Sequence, residues 1–234
     1  MVGDNLSQVR QRVEEAAKRS NRTLKDIILV AVTKTVEEGY IFEALDQGAR
    51  DLGESRIQEV LLKFDKVNGY ALKQGYKLVW HMIGHLQTNK AKDAVRMFDL
   101  IHSLDSMHLA VELDKQAKKI GKVQDVLLEV KTSPEATKYG FLPEEIEGAL
   151  IEIAGLKNLQ IKGLMTIAPF SDNAEKARPY FKQLKDLQVS LNKRTSDVGL
   201  RILSMGMTDD FEVAIEEGSD MVRIGRAIFG ERYK

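Results

Sequence analysis

Leu203-Ser204-Met205-Gly206-Met207-Thr208, followed shortly by Met221-Val222-Arg223-Ile224-Gly225-Arg226, decides how this chain is read. Each stretch is an apolar, strand-like run that breaks into small or hydroxyl residues where a new helix can begin. Backbone N–H groups at such a break, with the partial positive charge of a helix start, make a site for a phosphate. Two such breaks near the end of a chain that alternates strand and helix predict the phosphate grip of an eight-fold α/β barrel. The other end of a ligand held there meets Lys34, which closes the first strong strand.

Working outward, eight short apolar runs can be marked: Ile27–Val32, Ala49–Leu52, Leu78–Ile83, Leu100–Leu104, Val126–Val130, Ile161–Ile167, Leu200–Leu203 and Met221–Ile224. Several are apolar almost throughout, as strands covered on both faces of a parallel sheet should be. Segments with helical spacing lie between them. The clearest runs from Pro143 to Ile153, with Pro143 at the first helical position, acidic Glu144 and Glu145 behind it and Gly155 as a stop. Alternation at this rhythm means right-handed βαβ units. The expected architecture is a single (β/α)8 TIM barrel, one domain over residues 1–234, with an extra N-terminal helix carrying Leu6, Val9, Val13, Ala16 and Ala17 on one face. An open doubly wound sheet is the alternative, but it wants a glycine-rich turn after its first strand. Here Val32-Thr33-Lys34 is followed by no glycine until Gly39.

Composition sets limits on function. Lysines and arginines number 35, as do aspartates and glutamates, so no global field recruits nucleic acid or an anionic membrane. The basic run Lys115–Lys122 reads as a solvated helix face, because Leu109, Leu113, Ala117 and Ile120 recur at helical spacing. The chain has no cysteine, which excludes disulfides, thiolate metal sites and cysteine nucleophiles. No apolar run approaches the roughly 20 residues that span a bilayer, and the N-terminus does not read as a signal peptide. The expectation is a cytoplasmic protein.

Few residues have the position and chemistry to act. Lys34, at the C-terminal end of strand one, is where barrels place reactive groups; desolvation there would lower its pKa and make it a nucleophilic amine. The plainer alternative pairs it with a carboxylate such as Glu54. Arg223 sits inside an otherwise apolar last strand and needs either an internal partner or a ligand atom in the barrel mouth. Ser204 and Thr208 are phosphate candidates. Thr208 also reads as the N-cap of a helix through Phe211, Ala214 and Ile215, and Asp209 and Asp210 must then point away from the phosphate. His81 and His85 have the i, i+4 spacing that suits zinc on a helix, but Gly84 breaks the segment, which favours structural or ligand-lining roles.

Taken together, these segments resemble the pyridoxal-phosphate homeostasis protein family, a single-domain relative of the alanine-racemase barrel. The matching pieces are Val30-Ala31-Val32-Thr33-Lys34, Gly53-Glu54-Ser55-Arg56-Ile57-Gln58-Glu59, Trp80–Lys90 and Lys138-Tyr139-Gly140-Phe141. They continue with Gly163-Leu164-Met165-Thr166, Leu203–Thr208, Val222-Arg223-Ile224-Gly225 and Ile228-Phe229-Gly230. The resemblance implies that Lys34 forms a Schiff base with pyridoxal 5'-phosphate. It also implies that Ser204, the Met207–Thr208 turn and Gly225 hold the phosphate, and that Arg223 faces the pyridine nitrogen. The family usually carries asparagine where this chain has Ser55. A serine is shorter and reaches the cofactor only through water.

An arginine at the pyridine nitrogen disfavours ring protonation and makes the cofactor a weak electron sink. The expected function is therefore buffering or delivery of the cofactor without substantial catalysis. The expected partners are the cofactor itself and pyridoxal-phosphate-dependent apo-enzymes, with no nucleic acid and no membrane, and the protein is expected to be a monomer. The alternatives are an amino-acid racemase or decarboxylase using the same lysine, and a sugar-phosphate isomerase or aldolase in which Lys34 is incidental.

Overall fold

The protein is seen here as a computed structural model that describes residues 1–133, 135, 139–195 and 198–231. Lys138, part of one of the motif segments, lies outside the described residues. The opening helix α1 (Val2–Arg19) buries Leu6, Val9, Val13, Ala16 and Ala17 against the barrel. Eight parallel strands then close on themselves in sequence order: β1 (Ile28–Val32), β2 (Asp51–Glu54), β3 (Val79–Met82), β4 (Leu100–Leu104), β5 (Gln124–Glu129), β6 (Leu159–Met165), β7 (Ile202–Met207) and β8 (Met221–Ile224). This is the barrel expected from the alternating apolar runs. The helices between them are α2 (Glu38–Asp46), α3 (Ile57–Gln74), α4 (Ala91–Met97), α5 (Met107–Lys119), α6 (Ile146–Ala154), α7 (Arg178–Arg194) and α8 (Phe211–Glu216), with a short α9 (Arg226–Phe229) after β8. Among the described residues no helix is long and apolar enough to cross a membrane.

Period-2 alternation explains the layering. Strand residues facing outward meet the helices in one continuous apolar core, which includes Leu52, Trp80, Ile101, Val126, Leu164, Leu203 and Val222. Inside the barrel a second, smaller apolar cluster joins Leu100, Leu127, Met165 and Met221. Closure is made by β1 against β8, where Val30 pairs with Arg223 and Ala31 with Ile224. The chain segments leaving these two strands therefore meet at one mouth of the barrel, which is the geometry a short ligand needs to touch both.

Some boundaries differ from those the sequence suggests. Helix α6 begins at Ile146, so Pro143 sits in the preceding turn and not at the first helical position; Gly155 does close the helix. On α5, Leu109, Leu113 and Ala117 are buried, but Ile120 falls at the C-cap and is 49% exposed. Helix α8 is capped by Asp210, not Thr208. The reason is a tight turn: the Met207 N–H donates to Asp210 Oδ1 at 2.6 Å, and the Asp210 N–H donates back to the Met207 carbonyl at 3.1 Å. Thr208 is left within that turn.

Candidate functional site

The carboxyl-terminal mouth is built from the turns that follow the strands. Lys34 lies half-buried in the turn after β1, and its neighbours on both sides are clamped. The carbonyl of Thr33 accepts from Lys63 Nζ at 2.8 Å, and the Thr35 N–H donates to Glu59 Oε2 at 2.8 Å. Thr35 takes a positive φ of 59° to make this turn, a conformation that costs a non-glycine residue free energy and persists where surrounding bonds impose it. Glu54, the carboxylate that stood as an alternative partner for Lys34, is taken by Lys63 at 2.9 Å and by the Thr33 hydroxyl at 2.6 Å. Burial pushes the Glu54 carboxyl up, against the opposing pull of those two bonds. The Glu54–Lys63 pair is thus a brace under the Lys34 turn.

Two strands round the barrel, β7 runs into the turn formed by Met207, Thr208, Asp209 and Asp210. Gly206 adopts φ +94°, and a Cβ there would lie 2.5 Å from the Ala214 Cβ and 2.9 Å from the Phe211 Cα. Only glycine lets α8 pack this close beneath the turn. Asp209 is drawn sideways to Arg226, and Asp210 is tied to Met207, so neither acid is left loose at the turn. Gly225 caps α9 and packs against Val32, next to the Lys34 turn. Met207, Thr208 and Gly225 therefore stand on neighbouring turns beside Lys34.

Ser204 is not brought to that rim. It is the third residue of β7, fully buried, and its hydroxyl is held between His102 Nδ1 at 2.9 Å and Arg223 at 2.5 Å. Arg223 is 3% exposed and gives its other hydrogen bond to the Thr166 carbonyl at 2.9 Å. Burial lowers its guanidinium to about 10, with Asp210 and Glu129 pulling the other way. It is a cation at neutral pH, and its hydrogen bonds to the described residues leave several of its five N–H donors uncommitted.

The structure also gathers groups round His85 that sequence reasoning passed over, Glu129 and Asp105 among them. Glu129 ends β5 inside the mouth, 7% exposed. Its carboxyl is raised to about 7 by burial and then by Asp105, with Arg223 opposing. His85 Nδ1 pairs with Asp105 at 2.8 Å, and the Tyr139 ring stacks on the imidazole with centroids 3.5 Å apart. His81 points elsewhere, into the barrel, so the two histidines do not share a ligand. Ser55 follows β2, and its backbone approaches Gly84 so closely that a Cβ on Gly84 would collide with the Ser55 carbonyl oxygen. Two cavities open at the mouth on either side of Ile167. One of about 320 Å³ reaches Met207 and Asp210, and the other, about 150 Å³, reaches His85, Glu129 and Tyr139. The available signal was a polar residue at an inward position of successive strands: Asp51, His81, His102, Glu129.

The site is thus a closed (β/α)8 barrel with a lysine in a clamped turn after its first strand, a buried arginine in its last and a glycine-built turn beside them. The alanine racemase N-terminal domain family matches residues 5–233. The chain belongs to that family and, within it, to the pyridoxal phosphate homeostasis proteins. The relative of that description from Aquifex aeolicus is 44% identical over 229 residues, 98% of this chain and 97% of its own. That from Escherichia coli K12 is 36% identical over 233 residues, 99% and 97% of the two chains. Among solved structures, PipY of Synechococcus elongatus PCC7942 with PLP bound superposes with a TM-score of 0.85 at 33% identity, covering 98% of this chain and all of that one. An alanine racemase from Clostridium difficile 630 shares the fold alone, with a TM-score of 0.70 at 18% identity over 58% of its length.

Proposed function

We propose that this protein binds pyridoxal 5'-phosphate and buffers or delivers it to apo-enzymes that need it, without substantial turnover of its own. The observation that carries the reading is Arg223: a buried, still cationic guanidinium with spare donors, on the strand that pairs with the strand leading to Lys34. The residues fit the cofactor end to end. Lys34 supplies the amine for the aldehyde, Thr208 and Gly225 supply N–H and hydroxyl donors for the phosphate beside Met207, whose own N–H is already given to Asp210, and Arg223 faces the pyridine nitrogen. Ser204 acts from below, holding Arg223.

When bound, the cofactor supplies an aldehyde that links to an amine and a ring that draws electrons. Arg223 donates hydrogen bonds and does not give up a proton at neutral pH, so it leaves the ring nitrogen unprotonated and the ring a modest sink. The brace of Glu54, Lys63 and Thr33 holds the Lys34 turn in place. The support for delivery is the family: relatives at 35–44% identity carry the homeostasis description, and PipY has been solved both with and without PLP.

Borohydride reduction of the protein loaded with pyridoxal 5'-phosphate, followed by peptide mass spectrometry, tests this. The tag is expected on Lys34 and is expected to vanish in Lys34→Ala while the fold remains. A tag on another lysine, Lys138 included, removes the assignment.

A further inference from the structure

A continuous hydrogen-bonded chain runs through the barrel interior from its amino-terminal mouth to Arg223. Asp51, the first residue of β2, has a side chain 26% exposed and meets His81 Nε2 at 2.9 Å. His81, on β3, is 1% exposed, and its Nδ1 lies 2.9 Å from His102 Nε2, with the rings edge to face. His102, on β4, is fully buried and meets Ser204 Oγ across the barrel, and Ser204 accepts from Arg223. Two imidazoles and a hydroxyl thus connect the solvent-facing carboxylate to the guanidinium.

The chain has a direction. A carboxylate only accepts, so His81 carries a proton on Nε2. Burial above all holds His102 well below the ordinary imidazole value, so it is neutral and has one proton to place. A single ring proton on His81 makes its Nδ1 an acceptor from His102 Nε2–H; His102 Nδ1 then accepts from the Ser204 hydroxyl, and the Ser204 lone pairs face Arg223. Every proton is then used. In the opposite order Ser204 would receive from both His102 and Arg223, and its own proton would have no acceptor among the described residues, where those two are its hydrogen-bond partners. Buried donors left unpaired are costly, and chains whose bonds run one way reinforce each other.

We propose that Asp51 is a positioning residue for Arg223: from the far mouth of the barrel it fixes the tautomers of His81 and His102, and through them the orientation of the Ser204 hydroxyl that anchors the guanidinium. The consequence for binding rests on the reading of Arg223 as the group facing the cofactor ring; the tautomer statement does not. Removing the carboxylate lets an amide either donate or accept at His81 Nε2, which frees both rings to exchange tautomers and loosens the anchor.

The experiment is a comparison of ring nitrogen chemical shifts by NMR in ligand-free wild type, Asp51→Asn and Asp51→Glu. Wild type is expected to show His81 and His102 as neutral rings with the proton on Nε2. Asp51→Asn is expected to move both toward tautomer-averaged shifts, and Asp51→Glu to restore them. On loading with pyridoxal 5'-phosphate, Asp51→Asn and Ser204→Ala are both expected to bind at least about twofold more weakly, in line with coupling across one hydrogen-bond network, and to displace the visible absorption band. Unchanged ring shifts in Asp51→Asn overturn the proposal, as do altered shifts with unchanged affinity and band. Arg223→Leu separates the two readings. If it leaves affinity and spectrum unaltered, the role given to Arg223 at the ring falls, while the ligand-free shifts still decide whether Asp51 sets the tautomers.

Discussion

Replacing Glu129 by glutamine should remove most of a pH dependence that this one carboxyl imposes on stability. Glu129 is 7% exposed, and its carboxyl is raised from 4.5 to about 7, chiefly by burial. Between those values the folded protein holds a proton that the unfolded chain has lost, so stability must fall as pH rises through the window. Integrating that difference gives about 2.5 kcal/mol lost between roughly pH 5 and pH 8, at about 1.36 kcal/mol for each tenfold change in proton affinity. Glu129→Gln keeps the shape and cannot ionise. It should therefore match the wild type near pH 5 to within about 1 kcal/mol and exceed it near pH 8 by about 3 kcal/mol. For a chain of this size that excess is about 6–12 °C in Tm. Urea unfolding of the ligand-free proteins at the two pH values measures it. A difference between the two proteins that does not change with pH, or that grows on acidification, refutes the reasoning.

Three further outcomes are expected. Lys63→Met strands the Glu54 carboxylate, since the pair is 8% and 0% exposed, and should cost about 3–5 kcal/mol in urea unfolding; a loss below about 1 kcal/mol would mean that Glu54 is carried by its proton and Thr33 alone. Thr208→Ala should weaken pyridoxal 5'-phosphate binding by roughly ten- to a hundred-fold, the loss of one charge-assisted hydrogen bond, and should leave the already weak binding of unphosphorylated pyridoxal unchanged; equal losses for both ligands would take Thr208 away from the phosphate. The purified protein should not interconvert L- and D-alanine at the usual enzymatic rates of about 1–1000 per second, because racemisation needs a proton-transfer group on each face of the α-carbon. Lys34 would serve one face, and Tyr139 at the mouth is stacked on His85; turnover lost in Lys34→Ala would identify an enzyme.

The barrel was legible because its strands are covered on both faces. A run such as Ile27–Val32 has no polar face to give to water, and the spacing of such runs by amphipathic segments leaves few other architectures. Lys34 and Arg223 were legible for the complementary reason, each being a charge at the end of, or inside, a run that otherwise excludes charge. The cap of α8 was not, because Thr208 and Asp210 are both good caps by type. The choice fell to Asp210 through its reach back to the Met207 N–H, a contact made possible by the positive φ of Gly206.

The polar chain in the barrel interior marks a harder boundary. His81 and Ser204 each appear in sequence as a lone polar residue in an apolar run, Asp51 and His102 have polar neighbours, and period-2 alternation turns all four inward. Which of them touch is set by register. His81 pairs along the sheet with Leu100, so His102 stands two residues further up its own strand, and the Nδ1 of one ring meets the Nε2 of the other. Ser204 pairs with Met221, two residues before Arg223, so its hydroxyl sits below the guanidinium and not beside the Met207–Thr208 turn. A shift of one residue in either pairing would turn these side chains out of the barrel and break the path. Its ends, Asp51 and Arg223, lie on the second and the last strand, and no local pattern in the sequence connects them; closure of the sheet does.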